Sequence, residues 1–99
     1  MKIIKNYVEA IDDEIHGAKE YAEKYVESKA KGNMQAASRY KEMANDELKH
    51  ATYQHEWAVN EIEEISKIYT APVKMQEVWD KAHKEYVEKV AWIKQMLAM

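Results

Sequence analysis

Cysteine is absent from this chain of 99 residues, and glycine and proline are nearly absent. Without cysteine there is no disulfide framework, no thiol nucleophile and no thiolate ligand for a metal ion. Any metal site must therefore use oxygen and nitrogen donors. Two glycines and one proline are few interrupters of helical structure, so the composition predicts long helices.

Long apolar runs and blocks of one charge are also missing. No segment approaches the roughly 20 apolar residues that a membrane span requires. The N-terminus has a charge every few residues, so it lacks the apolar core that a signal peptide needs. The 15 basic and 18 acidic residues are mixed along the chain, which disfavours nucleic acid as a partner. We expect a soluble, cytoplasmic protein with neither a membrane nor a nucleic acid as partner.

Two short interruptions divide the chain into three predicted helices within a single all-α domain, residues 1–99. At the first, Gly32 suits the left-handed end of one helix and Asn33 suits the N-cap of the next. The second is Thr70-Ala71-Pro72, where proline favours the first turn of a new helix. The expected helices span about 3–31, 34–69 and 73–97. The first two form a long antiparallel hairpin.

Each predicted helix has an apolar stripe at helical spacing. Glu14 lies within the stripe of helix one and Glu47 within that of helix two. The stripe of helix three predicts packing only. In chain order the three stripes are Tyr7, Ile11, Ala18, Tyr21, Ala22 and Tyr25; Ala36, Tyr40, Ala44, Ala51, Ala58, Ile62 and Ile65; and Met75, Trp79, Ala82, Tyr86, Val90, Ile93 and Leu97.

The two acidic residues on apolar faces point to a metal site. A buried carboxylate loses its hydration, so it needs a cation or a basic partner. His50 follows Glu47 by three residues, and both side chains therefore lie on one helical face. In a hairpin that turns at Gly32, position 14 lies opposite position 50. We predict that Glu14, Glu47 and His50 bind metal; the alternative is that both glutamates pair with Lys or Arg at an interface.

Four-helix bundles that bind two metal ions take one Glu from each of two helices and a Glu-x-x-His pair from each of the other two. This chain has half of that set, and its length is near the lower limit for building a core alone. We therefore expect a homodimer or larger homo-oligomer that completes the bundle and holds two ions per dimer. Iron is the expected metal, with manganese and zinc as alternatives. No separate catalytic nucleophile or acid and base pair is evident.

Segments 13–21 (DEIHGAKEY) and 43–51 (MANDELKHA) resemble the first hairpin of rubrerythrin-type ferritin-like proteins. In that family a Glu on helix one, with a Tyr seven residues later, faces a Glu-x-x-His on helix two. The resemblance implies that Glu14, Glu47 and His50 are metal ligands, with Tyr21 close to them. The half-length chain is more similar to encapsulated ferritin-like proteins, whose di-iron ferroxidase site forms between two subunits. This resemblance implies that the protein oxidises ferrous iron as a ferroxidase does.

Two departures from that family are evident, the first of which argues against encapsulation. Residues 92–99 do not resemble a flexible cargo-targeting peptide, and helix three has no obvious counterpart in rubrerythrin. The aromatic stripe of helix three also resembles short helical proteins encoded by phages and prophages. The alternative function is a non-catalytic helical interaction or structural protein, phage-derived, with at most a structural metal ion.

A further carboxylate-x-x-His spacing, Asp80 and His83, lies on helix three. If this helix folds back directly after helix two, His83 is level with about position 59, roughly 13 Å along the axis from His50. It would then not bind the same ion, and a hydrogen bond in the core or at an interface is expected. His55 flanks the stripe of helix two, so that His55 and His83 together form a candidate minor metal site.

Overall fold

A computed structural model describes residues 2–68 and 73–99 of the chain. Helix α1 spans Lys2–Ala30, α2 spans Met34–Ser66 and α3 spans Val73–Leu97. The residues described contain no strand. The predicted all-α class with three helices is confirmed. The predicted interruption at Thr70-Ala71-Pro72 and the last residue of the predicted second helix, position 69, lie outside the described residues.

The turn between α1 and α2 has the conformation that its residues predict. Gly32 has a φ of 78°, in the left-handed region that suits glycine. The Asn33 side chain accepts a hydrogen bond from the backbone N–H of Ala36 at 3.1 Å, as an N-cap residue does. The Asn33 N–H donates to the carbonyl of Ser28 at 2.9 Å. These bonds satisfy backbone groups that the two helix ends leave without partners.

Helix α2 ends at Ser66, a few residues before the predicted boundary near 69. The N–H of Lys67 donates to the carbonyl of Glu64 at 3.3 Å, and that of Ile68 donates to Ile65 at 3.0 Å. Hydrogen bonds between residues three apart tighten the last turn and replace the α-helical pattern. Apolar periodicity alone does not reveal this change.

Helices α1 and α2 pack side by side in opposite directions. His50 lies beside Glu14, with 3.5 Å between Nδ1 and Oε2. Tyr40 stacks on Tyr21, with 6.4 Å between ring centroids. The contact partner on α2 therefore moves back from His50 to Tyr40 as α1 advances from Glu14 to Tyr21, which is the pattern of antiparallel helices. Glu14 therefore faces the middle of α2.

Helix α3 packs mainly along α1 and touches α2 through a few side chains. His83 contacts His55, and the Tyr86 hydroxyl lies 3.5 Å from that of Thr52. Helix α3 therefore runs antiparallel to α2 and parallel to α1. The molecule is a bar of 55 × 18 × 17 Å.

The buried core is thin and comes from all three helices. Five of its eleven residues are alanine, so the helices approach closely while little apolar area is buried. The predicted stripes were partly wrong, because Ile15 and Leu48 are buried whereas Tyr21 and Tyr40 only pack at its edge. Helix α3 packs on the side of α1 that carries Ile15, so the buried core extends toward α3. The core residues are Ile11, Ile15, Ala18, Ala22, Tyr25, Ala37, Ala44, Leu48, Ala51, Ile93 and Leu97.

Within residues 2–68 and 73–99, none of the helices combines the length and apolar character needed to cross a bilayer.

Candidate metal centre

The structure brings the three predicted ligands together. His50 Nδ1 lies 3.5 Å from Glu14 Oε2 and 3.9 Å from Glu47 Oε1. One ligand atom from each residue lies within 4.8 Å of the others, a spacing that one cation can bridge. In the part of the chain that is described, this is the one group of three or more His, Asp or Glu residues with such geometry.

Local helix geometry explains this convergence. Glu47 and His50 are three residues apart on α2, so their side chains leave the same face one turn apart. Glu14 reaches them from α1 because the antiparallel packing places it level with His50. Each predicted ligand therefore comes from the middle of a long helix rather than from a loop, which limits its backbone motion.

Gly17 makes room for one of the carboxylates. A Cβ atom at position 17 would lie 3.1 Å from Glu47 Oε2, closer than ordinary van der Waals contact. Position 17 is one turn after Glu14 on α1. The missing side chain therefore lets the Glu47 carboxylate lie against the α1 backbone, beside the Glu14 carboxylate.

Gln54 is a fourth polar residue at this site, and the sequence interpretation missed it. Its amide nitrogen donates to Glu14 Oε1 at 3.4 Å, and its carbonyl oxygen is buried without a hydrogen-bond partner. An unpaired buried oxygen is costly and calls for a donor or a cation. The available signal was its spacing of seven residues from Glu47, which puts it on the same face of α2.

The two carboxylates raise the proton affinity of the site. The pKa of Glu47 is raised above its ordinary value, first by a hydrogen bond with Glu14, then by burial and by the Glu14 charge; His50 opposes the shift. A pair of adjacent carboxylates holds a proton more tightly because two negative charges at short range repel. A metal cation relieves the same repulsion.

The three predicted ligands lie on the face of the hairpin that α3 does not cover. Their side chains are 24% exposed for Glu14, 28% for Glu47 and 53% for His50. The clefts between α1 and α3 are lined from α1 by residues on its other side, among them Asp12, Ile15 and Lys19. The centre is therefore open toward solvent, or toward another chain.

Two exposed apolar residues of α2 and one tyrosine of α1 lie on or near this face. Met43 is 40% exposed and Trp57 is 60% exposed. Tyr21 packs at the edge of the core and stacks on Tyr40. It lies two helical turns from Glu14 on the same side of α1 and contacts Tyr40, so its closeness to the predicted ligands stays a prediction.

The other histidine pair also meets. His55 Nε2 lies 2.8 Å from His83 Nδ1. The predicted level of His83 near position 59 was wrong by about one helical turn, because rings of α3 stack on His55 and fix the register there. Asp80 accepts a hydrogen bond from Gln76 at 2.9 Å.

Comparison of the chain with protein-family models, with curated proteins and with solved structures finds no match.

Proposed function

We propose that this protein binds iron at Glu14, Glu47 and His50 and oxidises ferrous iron, with the site shared between two chains in a ferritin-like arrangement. The observation that supports this most is the convergence of one Glu from α1 with a Glu-x-x-His pair from α2, within 4.8 Å. That is half of the ligand set of a four-helix di-metal bundle.

The residues present fit a hard or borderline divalent cation. Two carboxylates and one imidazole suit iron and manganese and also accept zinc. The space at Gly17 lets the Glu47 carboxylate approach that of Glu14, as two ligands of one ion must. The raised pKa of Glu47 indicates that the pair favours a positive charge between its oxygens. Gln54 donates to Glu14 and so orients it.

A second copy of the chain is the proposed partner. Three ligands on a partly exposed face leave a metal ion open on one side, and the same three residues of a second copy would supply the remaining set. Met43 and Trp57 supply exposed apolar area on or near that face. Two hairpins facing each other would form a four-helix bundle with α3 of each chain on the outside.

In the proposed reaction ferrous iron is the substrate. Two ferrous ions each lose one electron, and dioxygen takes up these two electrons and two protons and leaves as hydrogen peroxide. The carboxylates of Glu14 and Glu47 stabilise the higher charge of the ferric product. His50 in its neutral form adds a nitrogen donor.

The test is an isosteric substitution that removes one ligand charge. Glu47→Gln should weaken iron binding measured by anaerobic calorimetry, and should also abolish acceleration of ferrous oxidation in air measured by stopped-flow absorbance. A loss of about tenfold or more in affinity is expected when one ligand is removed, since loss of even an outer partner costs 10–100-fold.

Glu42→Gln is the matched control, because Glu42 is an exposed acidic residue on the same helix. It should bind and oxidise iron like the unmodified protein. Equal losses in both variants would show a non-specific charge effect. If the unmodified protein binds iron but oxidises it no faster than Glu47→Gln, the site is structural and the oxidase function is wrong.

The runner-up function is a non-catalytic interaction module, and one observation favours it. His50 Nδ1 lies within ion-pair distance of the carboxylates of both Glu14 and Glu47. A protonated His50 would partly neutralise the two carboxylates and leave the face ready for a protein partner. In that case chelators should leave self-association unchanged, whereas the metal-site proposal requires them to weaken it.

A further inference from the structure

A second cluster lies where α3 meets α2, away from the centre described above. His55 of α2 and His83 of α3 are joined by 2.8 Å between Nε2 and Nδ1. His55 is five residues beyond His50, about 7.5 Å along the helix axis, and on a different face of α2. The two clusters therefore use separate residues and separate surfaces.

Aromatic rings hold His55 in place. Its ring stacks on Tyr86 with 4.6 Å between centroids and 9° between planes, and on Trp79 with 5.6 Å and 28°. His55 is half-buried between these rings, whereas His83 is exposed at the surface. The His83 ring lies farther from these rings, with 6.4 Å between its centroid and those of Trp79 and Tyr86, so it is held less closely than His55.

The facing nitrogens are joined by a hydrogen bond. Two lone pairs 2.8 Å apart repel each other, and two N–H groups would clash, so one ring donates its N–H to the lone pair of the other. Burial and the neighbouring His83 lower the pKa of His55. Its neutral form, which is the form that binds metals, therefore persists at neutral pH.

We propose that His55 and His83 form a second cation site, which takes a borderline divalent ion such as Cu²⁺, Ni²⁺ or Zn²⁺ and links α2 to α3. Two Zn–N bonds of about 2.0 Å at a tetrahedral angle place the nitrogens about 3.3 Å apart. The nitrogens are close to that separation, and rotation of the exposed His83 ring supplies the difference. Water completes the coordination.

Donor chemistry separates this site from the first one. Imidazole donors alone favour Cu²⁺, Ni²⁺ and Zn²⁺ over Mn²⁺ and Fe²⁺, whereas two carboxylates with one imidazole also accept the latter pair. The bound ion would join α3 to α2, which otherwise touch through few side chains. This inference does not depend on the iron proposal.

Trp79 provides the readout, because its indole ring stacks on His55 and bound Cu²⁺ would quench its fluorescence. Trp57 and Trp92 are 60% and 58% exposed, so a Trp57→Phe/Trp92→Phe background leaves Trp79 as the only indole without opening the core. In the full chain with this background, Cu²⁺ should quench the Trp79 fluorescence. With Glu47→Gln added to disable the first site, one equivalent per chain should suffice, and electron paramagnetic resonance should show two nitrogen ligands.

His83→Ala should weaken quenching by about tenfold or more and leave one nitrogen ligand, with helical circular dichroism unchanged because His83 is exposed. His16→Ala is the matched control, an exposed histidine of α1 paired with Glu20, and should behave like the parent. Glu47→Gln should also keep the quenching, which separates this site from the iron site. Unchanged Cu²⁺ affinity in His83→Ala, or its loss in Glu47→Gln, would overturn the proposal.

Discussion

At the scale of single residues, Gly17 lowers the stability of α1 but leaves space for a carboxylate of the candidate centre. Glycine in a helix interior is about 1 kcal/mol less favourable than alanine. Position 17 has helical geometry and no positive φ, so no backbone constraint requires glycine there. What requires it is space, because an added Cβ would lie 3.1 Å from Glu47 Oε2.

Gly17→Ala should therefore stabilise the metal-free protein and weaken metal binding. The Glu47 carboxylate ends a flexible side chain and can move by a few tenths of an ångström, so most of the gain of about 1 kcal/mol should remain, a rise in Tm of roughly 4 °C or more for a domain of this size. The same movement should reduce iron affinity, measured by calorimetry.

The control for Gly17→Ala is the same substitution in a Glu47→Gln background, where only the gain in stability should remain. Destabilisation in the metal-free protein would mean that the carboxylate cannot move. Unchanged iron affinity would mean that the space at Gly17 does not serve the ligand.

Among the helices, the sequence predicts the turn between α1 and α2 and the closeness of Glu47 to His50 well, because both depend on local spacing. Gly32 and Asn33 determine the turn, and the i, i+3 relation joins Glu47 to His50 wherever the helix lies. The sequence predicts α3 less well. Its register and side of attachment depend on tertiary packing, which moved the core toward Ile15 and placed His83 at His55.

Gln54 was missed for a related reason. A neutral amide on a helix is ordinary in a sequence, and only the packing shows that its oxygen is buried without a partner beside Glu14. Periodicity shows which face a side chain occupies, whereas burial and hydrogen bonding require the neighbouring helix.

The attachment of α3 should make stability depend on pH through His55. Its pKa in the folded protein is lowered, by burial first and then by His83, so the unfolded chain binds a proton more readily near its ordinary value of 6.5. As pH falls through this value, protonation favours the unfolded state, and the free energy of unfolding decreases until the pH is below the folded pKa. Above that window the contribution is constant.

Urea denaturation at pH 7.5 and pH 5.5 in the presence of a chelator measures this effect. Three charged or titratable groups lie near His55: Asp12 of α1, Glu56 of α2 and His83 of α3. Asp12 lines the adjoining cleft, and the charge of Glu56 raises the pKa of His55. His55→Gln should remove most of the decrease on acidification. A Glu47→Gln background is needed, because the raised pKa of Glu47 acts with the opposite sign. An equal decrease in His55→Gln would assign the effect to other groups.

For the whole molecule, the thin core and the uncovered ligand face lead to one expectation about assembly. Five of eleven core residues are alanine, while Met43 and Trp57 remain exposed on or near the face that holds Glu14 and Glu47. Pairing two such faces without metal brings four carboxylates together, and their repulsion opposes association at neutral pH. A bound cation would replace this repulsion by attraction to the carboxylates, so we expect the two chains to associate when metal binds.

Sedimentation velocity with a chelator, and then with Mn²⁺ or anaerobic Fe²⁺, tests this coupling. The metal-loaded protein should sediment as a dimer or a larger oligomer with one ion per chain, and the chelated protein at lower mass. Glu47→Gln should not respond to metal, whereas Glu42→Gln should respond like the unmodified protein. A mass that is the same with and without metal would contradict a site shared between two chains. A dimer that persists in the chelator and in Glu47→Gln would instead support the interaction module, because apolar contact at Met43 and Trp57 would then suffice to hold the two copies together.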